Sequence, residues 1–386
     1  MTTIKVNDIT NVAGTGAPNF SDGIKYNGSA LSALNTYEYT SSATAPSNPN
    51  NGALWWDSAN SQAKIYVNNS WKTVTLESFD VTLYKPFGDR GLTWGGRNAA
   101  GNVTYSSIEY IDITTVGNGQ TFGNLTATSG SGAAVSNAIT GLYGGGSLVN
   151  SYSDVIEYVT ISTTGNSQDF GDLHTGVTQT SAASNGTYGL WGGGSYAPGG
   201  TYTRLNNIQR VSISTPGNAT DFGDLIQSEL IAVAALADSS YCVWAGGSPG
   251  YDNTIQYVTA ATPSNASDFG DLQMGGIKYA AGCADTTRGL INGGRNSSNN
   301  GVTFIDYITI ANPSNSTDFG DLTIAKKEHG STSNATRGVF SSGSQADNVV
   351  INVIDYVTIQ TIGNAIDFGD LSTGRKNTTM CSGNPS

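Results

Sequence analysis

The sequence predicts an all-β protein. A six-bladed β-propeller occupies residues 79–386, a C-terminal strand closes its first blade, and a small N-terminal β module precedes it. Three observations predict this. The motif FGxL recurs at Phe122, Phe170, Phe222, Phe269, Phe319 and Phe368, 47–52 residues apart, a period that marks repeat architectures. An alternating segment (IEYIDI, IEYVTI, IQRVSI, IQYVTA, IDYITI, IDYVTI) begins 14 residues before each Phe and reads as a strand with one buried face. Ahead of that, short apolar runs end in small residues (GLTWGG, GLYGGG, GLWGGG, CVWAGG, GLINGG, GVFSSG), where a double glycine suits a strand end at which backbones approach closely.

Each repeat therefore carries four strands, a to d. Strand a is the small-residue stretch after FGxL (TQTSAAS, KYAAGCA), b ends in the glycines, c is IxYxxI, and d is FGxL. Four antiparallel strands in about fifty residues make one propeller blade. The Ser, Ala, Thr and Gly of strand a suit the crowded centre of the ring. A Gly-Asn or Ser-Asn pair between c and d (TTGNSQ, TPSNAS) signals a turn. Only the b–c loop varies much, the next Ile following the small pair by 8–14 positions, so the frame presents loops on one face.

The chain ends where a seventh strand b would begin, and the first strand b, near Gly91, lacks a convincing strand a. Residues 374–384 (GRKNTTMCSGN) are thus expected to supply strand a to the first blade, with Cys381 opposite Cys283, removing the open edges of the ring. A rival assigns that place to FDVTLY at 79–84. In the N-terminal part, LWWD and KIYV read as short strands and SSATAPSNPNN at 41–51 as a linker.

Composition agrees. The chain has 50 glycines and 19 tyrosines, and only 12% of residues are charged, which suits many short strands and tight turns. A balance of 17 basic against 29 acidic residues, net −12, argues against a nucleic-acid groove. No run of eighteen apolar residues exists, so no membrane insertion is expected. MTTIKVNDITNVAG has no secretion-signal pattern. Cys242, Cys283 and Cys381 form neither a paired framework nor a CxxC, as in a protein made in a cytosol with reduced thiols.

The chemistry-bearing residues point to binding, with no catalytic residue, metal or cofactor expected. The DFGD carboxylates (Asp169 and Asp172 through Asp367 and Asp370) read as turn caps bonding local amides, since no third ligand recurs. His174 and His329 lie in non-adjacent repeats, and Arg90, Arg288 and Arg337 occupy matching repeat positions. Both sets read as structural. Trp94, Trp191 and Trp244 read as core. The b–c loops supply the ligand candidates: Arg97, Asn98 and Tyr105; Tyr152; Tyr196, Tyr202 and Arg204; Tyr251 and Asp252; Arg295 and Asn296; and Asp347. Tyr with Asn, Asp and Arg can stack on sugar rings and bond hydroxyls.

Strand-b glycines, strand-c Tyr and an aromatic in strand d resemble a kelch-type repeat. The departures are Phe for the usual Trp, Arg210 for one Tyr, and Ser342-Gly343 for one double glycine. ITNVAGTGAPNFSDGIKYNG at 9–28 resembles the opening of many bacteriophage fibre and virion appendage proteins. NPNNGALWWDSANSQAKIYVNNSWKTV at 48–74 resembles a small β module of such fibres, especially in phages of marine bacteria and cyanobacteria. The resemblance implies a head- or tail-fibre protein, made in the host cytoplasm and carried on the virion. It implies a virion-attachment segment at 1–36 that docks on other virion proteins, a β module and linker at 37–78, and a propeller that meets a host surface glycan or receptor. Fibres of this kind are commonly trimeric, but no heptad here specifies a trimer. The alternatives are a purely structural capsid or tail decoration and, more remotely, a glycan-degrading enzyme.

Overall fold

The computed structural model describes residues 25–26, 29–30, 39–47, 49, 53–57, 59–60, 62–67, 70–73 and 87–385, the last without 149–150, 198–201, 228–230, 232, 249, 299 and 346–348. The chain divides into two compact units, Met1–Val81 and Thr82–Ser386.

In the first unit, Lys25–Tyr26 pairs with Ser29–Ala30, the only described residues of the expected attachment segment. A second sheet orders Tyr39–Ser42, Leu54–Asp57, Gln62–Val67 and Ser70–Thr73. Its first two strands are parallel, and Ser41 and Ser42, the start of the stretch read as a linker, belong to the first of them. Trp71 packs edge-on against Trp55 and Tyr66, with ring centroids 5.4 and 5.3 Å away. Lys64 reaches buried Asp57 at 2.7 Å, and hydrogen bonds from Lys64 and Asn60 hold that carboxyl down to about 2.

The second unit is a ring of six four-stranded antiparallel sheets. Blade 1 joins Thr379–Gly383 as strand a to Arg90–Trp94, Ser107–Asp112 and Gln120–Asn124 as b, c and d. The C-terminal clasp is therefore formed, and Cys381 pairs with Leu92 as Cys283 pairs with Leu290. The rival segment 79–84 lies outside the described residues. Blade 2 comprises Ala133–Ser136, Thr140–Gly144, Val155–Thr160 and Gln168–Asp172. Blade 3 comprises Ser181–Ser184, Tyr188–Tyr196, Thr203–Ser212 and Thr220–Asp224. Blade 4 comprises Ala234–Ala237, Tyr241–Ala245, Thr254–Thr259 and Ser267–Asp271. Blade 5 comprises Ala281–Ala284, Arg288–Asn292, Val302–Thr309 and Thr317–Lys326. Blade 6 comprises Gly330–Ser333, Arg337–Ser341, Val353–Thr358 and Ile366–Asp370.

The blades are sealed by apolar clusters that cross each seam. Leu142, Ile156 and Phe170 of blade 2, for example, pack against Trp191, Val211 and Ile213 of blade 3. Trp94, Trp191 and Trp244 are buried core residues, as their strand-b positions predict. All three cysteines are free and buried, and burial pushes the Cys283 and Cys381 thiols up to about 12.

Polar contacts repeat at every seam. The c–d turn of each blade lies along strand d of the blade before it. Gly165 N–H, for instance, donates to Phe122 O at 2.9 Å and Ser167 N–H to Asn124 O at 2.9 Å. The turn asparagine then accepts the amide of the last strand-d residue. Asn124, Asp172, Asp224, Asp271, Asp321 and Asp370 donate to Asn166, Asn218, Asn265, Asn315, Asn364 and Asn118, at 3.0–3.1 Å. The glycine of FGxL is needed because a Cβ there would overlap the neighbouring turn's backbone, as at Gly123 against Gly165. This corrects the capping role given to the DFGD carboxylates. Among the described hydrogen bonds none runs from a turn amide to them, and the second Asp contributes its backbone instead.

Strand c departs from simple alternation for a definite reason. In all six blades a bulge falls between its first Ile and the next residue, and a bulge re-aims side chains. The re-aimed residue, Glu109, Glu157, Gln209, Gln256, Asp306 or Asp355, is polar yet buried. It grips the turn after the preceding blade's FGxL. Ser372 N–H donates to Glu109 at 2.9 Å, Thr126 N–H to Glu157 at 2.9 Å, His174 N–H to Gln209 at 2.7 Å and Ile226 N–H to Gln256 at 2.7 Å. Thr323 Oγ1 donates to Asp355 at 2.5 Å. Burial raises the Asp306 carboxyl pKa, with hydrogen bonds from Ser316 and the Gln273 backbone opposing it.

The repeat arginines are structural as predicted. Arg90, Arg288 and Arg337 stack on Tyr110, Tyr307 and Tyr356 at 4.4–4.8 Å and donate to Ile161, Ile359 and Ile113 carbonyls in the next blade. Blade 3 exchanges the partners. Tyr188 stands at the arginine's place, Arg210 at the tyrosine's, the guanidinium lies 4.4 Å from the ring, and Arg210 still reaches Ala261 O of blade 4. His174 is exposed. His329 is buried, its Nε2 2.7 Å from Asn292 Oδ1. Burial first, then Lys326, lowers its pKa well below 6.5.

The first residue of each small pair has φ of 51–72°, including Ser342 at 60°, whereas the second has 98–115°. Left-handed φ near 60° admits a side chain at modest cost, but φ near 105° is essentially reserved for glycine. The serine departure is thus confined to the tolerant position.

Four outcomes follow from these contacts. Gly343→Ala, whose Cβ would come 2.8 Å from the His329 Cβ, should lose about 1–3 kcal/mol in urea denaturation. Ser342→Gly should stay within about 0.5 kcal/mol of wild type, because relief of the left-handed serine offsets the lost Thr378 hydrogen bond. Tyr188→Arg and Arg210→Tyr should each destabilise by about 1 kcal/mol, and the double exchange should recover most of that loss in a double-mutant cycle. Additive losses would show the pair is not coupled. Because folded His329 binds its proton more weakly than the unfolded chain, stability is full above pH 6.5 and declines below it. Stability should fall steadily as pH drops below 6.5, and His329→Gln should remove that part of the pH dependence.

Candidate functional site

Strand a of each blade packs beside strand a of its neighbours, so the six enclose an axial channel. Its wider part, a cavity of about 120 Å³ open to solvent, lies at the starts of the a strands, on the face that also carries the b–c loops. A narrower stretch of about 70 Å³ continues from it, sharing Ala134, Ala182, Ala235, Gly282, Ser331 and Met380, and reaches Phe87. Small side chains leave this space because larger ones from six converging strands would collide.

One residue of each d–a connector stands at the channel mouth, two positions before strand a. Ser131, Gln179, Tyr279, Glu328 and Asn377 all occupy it with φ of 56–64°. The sixth equivalent, residue 232, lies outside the described residues. Their backbones form a chain round the mouth. Ser131 N–H donates to Asn377 O (3.0 Å), Gln179 to Ser131 (2.8 Å), Glu328 to Tyr279 (3.1 Å) and Asn377 to Glu328 (2.7 Å). Non-glycine residues held in left-handed backbone cost free energy and cluster at ligand clamps. Gln179 Nε2 also donates to Tyr279 Oη across blades at 2.9 Å, and Asn377 Nδ2 to Ser131 Oγ at 2.6 Å.

The b–c loops bring six of the predicted residues near this mouth, though none of the six lines the cavity itself. Tyr152 and Tyr202 of adjacent blades meet with ring centroids 6.2 Å apart, and Tyr202 is 67% exposed. Burial first, then the Tyr202 hydrogen bond, pushes the Tyr152 hydroxyl up to about 12, and Arg97 is near enough to oppose this. Arg295 lies 5.4 Å from the Tyr279 ring and Lys278 4.3 Å from the Tyr251 ring. Burial lowers the Lys278 pKa, with Arg295 and Arg204 adding to the effect and Tyr251 opposing it. Tyr202 and Glu328 both act on Tyr279, whose hydroxyl pKa is raised mainly by burial.

Other predicted residues serve their own loops. Asn98 binds Asn102 and the Val103 amide, Asp252 caps Thr254, and Asn296 accepts the amides of Ser298 and Asn300. Tyr105 and Tyr196 are half-buried. Asp347 lies outside the described residues. Sequence reasoning missed the connector residues Gln179, Lys278, Tyr279, Lys327, Glu328, Lys376 and Asn377. Their one signal was large polar residues in a stretch otherwise made of small ones.

No family model matches the chain, and no curated protein matches it. Many solved structures do, among them one titled "Structure of YjhT", with TM-score 0.53 and 11% identity over 66% of this chain and 87% of that one. At that identity the likeness shows the fold alone, a kelch-like six-bladed β-propeller.

Proposed function

We propose that the chain is a phage virion fibre or appendage protein whose propeller binds a host cell-surface glycan during adsorption, while its N-terminal segment attaches it to other virion proteins. The observation that carries the binding role is the convergence of Tyr152, Tyr202, Tyr251 and Tyr279 with Arg97, Arg204 and Arg295 around the mouth of a rigid closed ring. Tyrosine faces stack on sugar rings, and guanidiniums and hydroxyls bond their substituents. The attachment role rests on the resemblance of residues 9–28 and 48–74 to phage fibres.

A binding role is favoured over hydrolysis. Glycoside cleavage uses two facing carboxylates. Among the mouth residues named above only Glu328 is a carboxylate, and it binds Ser344 at 2.9 Å and Lys376 at 3.7 Å. Among the described residues no three His, Cys, Asp or Glu side chains gather as a metal site. A shallow site of this kind binds a single sugar weakly, so several copies on one particle would supply avidity.

The test is adsorption of the full-length protein, displayed on fluorescent beads, to a panel of bacterial cells. Selective binding that free surface polysaccharide abolishes is expected, and Tyr202→Ala should weaken it about tenfold. A folded protein that binds no cells at bead density would sink the adhesin and leave the decoration role.

A further inference from the structure

On top of the glycan-binding reading, we propose that the mouth selects acidic saccharides, holding an anionic substituent on an arc formed by blades 5, 6 and 1. The arc carries five cations. Lys278 and Arg295 are bridged to each other in blade 5, Lys327 opens blade 6, and Lys376 and Arg97 are bridged in blade 1. Among the described residues named for this arc the one carboxylate, Glu328, is already engaged by Ser344 and Lys376. This concentration of positive charge stands in a chain of net charge −12. Carboxylates line the outer rim of the same face, where Asp172, Asp224, Asp271, Asp321 and Asp370 end the d strands. None of these five cations lines the cavity itself, whose lining holds Glu328 and no Lys or Arg; they stand outside it, in the connectors and b–c loops.

Charge alone would describe a solvated patch. A second observation is that the donors are unused. The Nε atoms of Arg97 and Arg295 are buried without a hydrogen-bond partner, and no described residue makes a hydrogen bond or ion pair with either guanidinium. Lys327 is only 4% exposed, and among the described residues its ammonium makes neither contact. Buried, unpaired donors are costly, and a guanidinium fork matches the two oxygens of a carboxylate or the oxygens of a sulfate ester. Arg97 lies over the backbone of Gly130, where a Cβ would come within 2.8 Å of its Cγ. It is also close enough to Tyr152 to influence that hydroxyl electrostatically. An anionic sugar ring resting on those tyrosines would place its substituent at this donor.

Titration of the full-length protein with alginate (carboxylate), dextran sulfate (sulfate ester) and dextran (neutral) tests the inference and identifies the source of the anion. Binding to alginate or dextran sulfate and not to dextran is expected, weakening as salt rises. The double variant Arg97→Gln/Arg295→Gln should lose that affinity about 10- to 100-fold while staying folded, since among the described residues neither side chain makes a hydrogen bond and the Arg295–Tyr279 ring contact is the one packing loss. Lys72→Gln, a charge removed from the N-terminal unit, should bind as wild type. Undiminished affinity in the double variant would overturn the inference. So would dextran binding equal to that of the acidic polymers, sensitive to Tyr202→Ala, although glycan binding itself would then stand. Binding to none of the three would remove both.

Discussion

The closed ring rests on one constraint: the c–d turn of each blade must lie flat along strand d of its neighbour. An outer strand left bare would present unpaired amides and carbonyls to any passing edge. Here the neighbour's turn takes those groups, and the turn asparagine takes the amide of the last strand-d residue at all six seams. That approach excludes a side chain at the FGxL glycine, which is why FG recurs without exception. The bulge in strand c turns a buried carboxylate or amide onto the adjoining connector. Backbone geometry, motif and seam are thus one arrangement.

Much of this was legible in the sequence, and what was not has a common cause. Strand order, blade number and the clasp at Thr379–Gly383 follow from local alternation and from counting repeats, because each depends on residues close together or one period apart. The cross-seam contacts depend on two positions some forty residues apart, such as Asn124 and Asn166. Each looks like an ordinary turn or strand residue when read alone. Arg210 shows the same limit, since it looked like a lost tyrosine until Tyr188 was found facing it. Glu109 and its equivalents were visible as polar residues in an apolar strand, but only the bulge explains why they are inside.

The site was half legible for a related reason. Loop residues such as Arg97, Tyr202 and Arg295 were selected by their variable context, and the ring brings them to one mouth. The connector residues beside them were hidden because the stretch before strand a was read as packing material. Left-handed backbone at Ser131, Gln179, Tyr279, Glu328 and Asn377 lets one residue per blade leave the strand path and stand at the axis. The interblade chain of amides and carbonyls then holds those residues in place, so the mouth inherits the rigidity of the ring.

The buried ion pairs join seam to site. Arg375 meets Glu109 at 2.6 Å and Lys326 meets Asp355 at 2.9 Å, both nearly or fully buried. Burial lowers the pKa of both cations, and the facing carboxylates oppose that shift. Val177 and Ile277 hold the corresponding positions elsewhere, so a seam closes well with an apolar residue there. A buried pair adds little net stability over such a replacement, and its better attested use is to fix register. Each cation here stands two residues before a left-handed mouth residue, Asn377 or Glu328, and next to Lys376 or Lys327. The pairs occur on the two seams that bound blade 6, in the arc that gathers the positive charge. A directional contact at that point sets the connector's rotation as well as its depth, which an isoleucine cannot do. The ion pairs are therefore best understood as orienting the mouth, with closure of the ring left to the asparagines and glycines.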